Sequence, residues 1–249
     1  MTATPDSPLG SASCLVNFWD ILTAPDLALK RVSEVQPRSW WLPALLSLVT
    51  PLLYLGFTMD MQIEQARKAA ALTLSKLPAE QVEAARPLIA RMTQPQAIFL
   101  SATGGVALGL VLSWALSILI LYFGIALLGS SVGAGGLWAA IVWTWVPLAL
   151  RPLVQLAWSL HAGALVLYPG LSRFVAVGNP MEDQRNPLFV AASQIDLFAL
   201  WHIILIYVLL RVVGRLGRGR SIALALLYAL AQVGVRVLPT AIAQMTELG

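Results

Sequence analysis

From Ala97 to Leu128 the sequence runs without a single charged side chain. That is longer than the roughly 20 residues a helix needs to cross a hydrocarbon core. Inside a bilayer no water satisfies backbone N–H and C=O groups, so such a stretch has to be helical. Four further stretches, 40–57, 137–163, 195–213 and 221–243, share its apolar character. The expected fold is therefore all-α, a polytopic five-helix transmembrane bundle. Composition agrees, with 58% hydrophobic and 11% charged residues. A soluble domain carries about 25% charged residues, and this chain has too little polar surface to wet a body of its size.

Between the apolar stretches, local signals set the organisation. Residues 1–16 are rich in Ser, Pro, Gly and Ala and read as a disordered tail; 17–245 reads as one membrane domain. Leu27, Leu29, Val32 and Val35, with Lys30 and Arg31 among them, fit a short amphipathic helix started by Thr23 or Pro25 and ended by Pro37. Trp19, Trp40 and Trp41 bracket it, which predicts a helix lying in the membrane interface. Residues 58–96 mix charges with good helix formers and predict a helical hairpin extending the flanking spans beyond the lipid. Pro51 predicts a kink in the first span, and Pro147 and Pro152, with Arg151 between them, predict a bent or broken third span. Gly129 to Gly136 reads as a flexible turn without the Gly-Lys-Ser/Thr ending of a phosphate loop. Residues 171–192 read as a polar loop, followed by a Ser193-x-x-Asp196 capping box.

Orientation follows from charge. Arg211, Arg215, Arg218 and Arg220 crowd the short link between the fourth and fifth spans, and short positively charged links stay in the cytoplasm. Alternation then places the amino terminus inside, and the hairpin and the carboxyl terminus outside. The net charge of +4 suits contact with anionic lipid. No basic stretch interleaved with aromatics suggests nucleic acid. Cys14 is the only cysteine, so an intrachain disulfide is excluded, and neither a metal site nor a cofactor is expected.

Two sets of residues are candidates for function. Ser101, Gly105, Gly109, Ser113 and Ser117 recur every fourth residue, which lets helix backbones approach closely. That face packs either within the chain or as a homodimer contact. Arg151, Asp196, His202 and Arg236 interrupt apolar spans, and charge inside a bilayer is costly enough to warrant attention. At about 1.5 Å rise per residue, Arg151 and Arg236 lie about 21–22 Å above the cytoplasmic ends of their spans, level with Asp196 and His202 entering from outside. One reading is an ion pair of Asp196 with Arg151 or Arg236 that pins the bundle, so that Arg151→Leu and Arg236→Leu both destabilise. The other is an outer-leaflet pocket favouring an anionic ligand such as a lipid phosphate. No His-Glu-x-x-His occurs, and His161 and His202 have no closely spaced acid; a non-catalytic role is expected.

Ile21-Leu22-Thr23-Ala24-Pro25, Arg38-Ser39-Trp40-Trp41-Leu42-Pro43, Gly136-Leu137-Trp138 through Trp145-Val146-Pro147, and Ile195-Asp196-Leu197-Phe198-Ala199-Leu200-Trp201 together resemble bacterial Yip1-domain proteins over about residues 17–240. The resemblance implies five transmembrane helices and a cytoplasmic amino terminus. Eukaryotic relatives act in endoplasmic reticulum and Golgi trafficking with Rab GTPases, but their Asp-Leu-Tyr-Gly-Pro motif is missing here, so Rab binding does not carry over. The expectation is a scaffold, organiser or trafficking-like factor of a bacterial inner membrane, whose partners are membrane lipids and other membrane proteins. The alternative is a transporter, channel or lipid-handling protein.

Overall fold

The structure, a computed structural model, describes residues 12–247 apart from residue 77. The proposed tail therefore lies mostly outside the described residues, but its last part does not. Helix α1 spans Cys14–Thr23, with Ser13 as its cap accepting from the Val16 N–H. Helix α2, Pro25–Glu34, follows at once with Pro25 in its first turn. Arg31 ties the two together, reaching Asp20 at 2.6 Å and the Asn17 side chain at 2.9 Å.

The expected interfacial helix has a different partner. Ala28, Leu29 and Val32 of α2 are buried in the protein core, against α7 (Ala134–Trp143) and α11 (Leu197–Val212). An apolar stripe looks the same whether its partner is a headgroup layer or another helix. Gly136 decides the matter, because a Cβ there would sit 2.4 Å from the Ser33 carbonyl oxygen. The third span thus begins at Ala134, and Gly135 and Gly136 are helical where a flexible turn was expected.

Helix α3, Trp41–Phe57, bends by 70° into α4, Met59–Lys76. The chain turns at Thr58, after Pro51, so the insert does not prolong the first span straight outward. Helix α5, Ala79–Met92, completes the hairpin, and α6, Pro95–Leu127, is the long second span. The third span is α7 followed by α8, Val146–Ala162. Residues 171–192 form a 3-10 turn at Ser172–Phe174, then α9, Pro180–Arg185, and most of α10, Pro187–Ser193; a polar loop was expected. The proline of each Asn-Pro pair starts a helix instead of ending a turn.

Helix α10 meets α11 at 68°. Asp196 is the cap of α11, accepting from the Ala199 N–H at 2.8 Å, while the Ser193 hydroxyl bonds back to the Val190 carbonyl. The capping box is thus a single Asp cap. Helix α12, Arg218–Glu247, ends the fold. At the arginine-rich link, Arg211 donates to the Leu216 carbonyl and Arg220 donates to the Leu128 carbonyl at the end of α6. Both arginines satisfy carbonyls that helix ends and turns leave open.

Among the described residues three helices are long and apolar enough to cross a membrane, and up to five spans result if each bent pair counts as one. Among the described residues there is no strand. The chain is an all-α polytopic membrane protein.

Candidate functional site

The third span breaks where its sequence withholds a hydrogen bond. Pro147 has no N–H to offer the Trp143 carbonyl. Just before it the helix tightens, with the Thr144 N–H reaching Ile141 and the Trp145 N–H reaching Val142. The Thr144 carbonyl is left for a side chain, and His202 of α11 donates to it from Nδ1 at 2.7 Å. A carbonyl only accepts, so Nδ1 carries the proton and the neutral ring accepts at Nε2. The Tyr228 hydroxyl supplies that bond at 2.9 Å. That spends the one proton of Tyr228, so in its 3.0 Å contact with the Ser117 hydroxyl of α6 the serine donates, and Ser117 accepts from Gln232 at 3.1 Å. Four helices are joined by one line of polar groups with each member satisfied, which is what a buried network needs in order to stabilise.

Next to this line lies the ion pair. Arg151 Nη2 donates to Asp196 Oδ1 at 2.9 Å, and Nε sits 2.8 Å from Oδ2 as a close charge contact, without the alignment of a hydrogen bond. The two side chains are only 20% and 16% exposed. Asp196 therefore neutralises Arg151 and caps α11 with the same carboxylate. Arg236 has no such partner: no carboxylate is paired with it among the described residues.

Arg151, Asp196, His202 and Arg236 all line one cavity of about 300 Å³ between α8, α11 and α12. Its other walls are mainly apolar, including Leu148, Leu200, Ile203 and Val233. Trp145 closes the inner side, its ring 5.4 Å from His202. The cost of placing charge in hydrocarbon singled out Arg151, Asp196, His202 and Arg236. Tyr228, Gln232 and Trp145 escaped that filter, because neutral polar side chains look ordinary in an apolar helix. Their positions at the level of His202 were the signal available.

The small-residue face divides in two. Ser117 is buried against α12, and the Ser113 carbonyl accepts from Gln232. A Cβ on Gly105 or Gly109 would meet nothing within 4 Å, and Ser101 is exposed. The intramolecular contact uses only the carboxyl-terminal part of the stripe.

Gly129-Ser130-Ser131-Val132-Gly133 does spell Gly-x-Ser-x-Gly. A nucleophile elbow requires a strand-to-helix turn, whereas this segment joins helices α6 and α7. Among the described residues no cluster of three or more metal-ligating side chains is present. No curated protein and no solved structure matches the chain. The family model of the Yip1 domain matches residues 19–237, and with its several membrane-spanning helices this chain belongs to the Yip1 domain family.

Proposed function

We propose that the chain is a non-catalytic organiser of a bacterial cytoplasmic membrane, and that its α4–α5 hairpin is an arm for membrane-protein partners. The observation that carries this reading is that no described residue of either arm helix is buried. Their helicity rests on local propensity and exposed pairs such as Glu64–Lys68 at 2.6 Å, which contribute little to the stability of the whole. Leu88 and Met92 are 61% and 64% exposed. A folded segment whose described residues are at most half-buried keeps surface available to bury against something else. Shared placement of α2 and the arginine-rich link at one end supports an even number of crossings between them. With the positive link inside, the amino terminus is cytoplasmic and the arm lies outside.

The test replaces residues 60–92 with a short Gly-Ser linker and puts a photo-crosslinking residue at Leu88 in the intact chain. Melting in detergent should shift by no more than a few degrees on excision, and Leu88 should yield protein adducts in native membranes. Strong destabilisation on excision, or adducts with lipid alone, would defeat the reading. The alternative, transport, conduction or lipid handling of an anionic ligand, is favoured by the cavity at Arg151 and Arg236. Toward the arginine-rich end, the fully buried Ile141, Trp143, Leu205 and Ile206 fill the bundle, so the geometry supports holding a ligand over conducting one.

A further inference from the structure

We infer that the cavity between α8, α11 and α12 is a binding site for a monoanionic amphiphile, a lipid head of single negative charge carrying an acyl chain. The charge count leads there. Asp196 is fully engaged, with both oxygens on Arg151 and one of them also on the Ala199 N–H. His202 is occupied at both ring nitrogens, by Thr144 and Tyr228. Arg236, on the same wall, is left as one unmatched guanidinium. No other acid lines the cavity, so the Arg236 guanidinium is left as its unneutralised positive charge. A guanidinium at this depth favours a planar or tetrahedral oxyanion that takes two of its donors.

The second part of the inference comes from the walls. Leu148, Ile195, Ala199, Leu200, Ile203 and Val233 offer no polar atom beyond their backbone to a ligand. The lining residues Ile195 and Leu200 are also exposed on the bundle surface, which in a membrane protein is the surface that faces hydrocarbon. A soluble phosphate would gain the charge contact but leave the apolar walls unfilled. An acyl chain fills them and arrives laterally from the bilayer. Gln232 lies on the wall beside Arg236, but its amide nitrogen already donates to the Ser117 hydroxyl and to the Ser113 carbonyl, so both donors are spent before an anion arrives. The head group is therefore held mainly by Arg236. This site is independent of the α4–α5 arm.

Native mass spectrometry of the full-length protein in detergent tests it, with phosphatidylglycerol, phosphatidylcholine, a long-chain fatty acid and inorganic phosphate as separate probes. Phosphatidylglycerol or the fatty acid should add one copy per chain, at least fivefold more readily than phosphatidylcholine, and which of the two binds tells a phosphodiester head from a carboxylate. Arg236→Gln should lose that preference at unchanged melting temperature, because no carboxylate is paired with Arg236 among the described residues, and Arg236→Lys should keep much of it. Ala229→Leu, on the cavity wall, should weaken binding of the chain-bearing probes without altering charge. Equal binding by phosphatidylcholine, or full binding by Arg236→Gln, overturns the inference. Stabilisation by inorganic phosphate alone also overturns it, since the site would then take a soluble anion.

Discussion

The two halves of the α7–α8 span live in different surroundings. Residues Leu137 and Ala139 through Trp143 are completely buried among α2, α6 and α11, and their neighbours are almost all apolar. Past the break at Thr144, α8 carries Arg151 and faces a cavity, with Asp196 as its charged neighbour. One half is enclosed on all sides by close packing, and the other packs along α3 on one side and meets polar contacts and open space on the other. Packing energy is spread over many weak contacts, whereas polar contacts in a membrane are few and individually consequential. The first arrangement builds a fixed end and the second leaves room for a ligand.

The sharpest test of the packed half is Trp143→Ala. Trp143 is fully buried and its indole N–H donates to Ser39 at 3.1 Å, so the substitution should cost about 3–5 kcal/mol in chemical denaturation from detergent micelles. A loss below about 1 kcal/mol would mean that this end is not close-packed. On the polar side, Arg151→Leu leaves Asp196 charged and unpaired, with an expected loss of about 2–4 kcal/mol. Adding Asp196→Asn, which keeps an oxygen for the Ala199 N–H, should restore most of it, and no recovery would argue against the ion pair. Smaller again is His202→Leu. It strands the Thr144 carbonyl and deprives Tyr228 of its acceptor, at about 1–3 kcal/mol. If melting did not change, the polar line would not hold the cavity floor together. Arg151 and Arg236 looked equivalent by depth along the sequence, and the coordinates separate them: only Arg151 has a carboxylate to lose.

Several features were legible before any coordinates. The apolar stretches, the break near Pro147 and the unusual cost of Arg151 and Arg236 follow from residue chemistry read in order. Helix α1 was not legible, because its short apolar turn is preceded by a tail of Ser, Pro and Gly and has no strong start signal other than Ser13. The short helices of 171–192 were hidden because Asn-Pro reads as a turn unless the proline opens a helix. Ser193-x-x-Asp196 misled because two capping residues sat within one turn, and only the 68° bend between α10 and α11 shows which of them begins the span.

Solvation is nearly additive along a chain, so the sequence alone determined that this protein lives in lipid as an all-α bundle with four arginines gathered at one link. Partnership is not additive. An amphipathic stripe does not say whether a membrane surface or α7 will cover it, and two arginines at one depth do not say which one meets Asp196. Those choices fall to tertiary structure, because each depends on where a distant helix places a single atom, as the Ser33 carbonyl against Gly136 does.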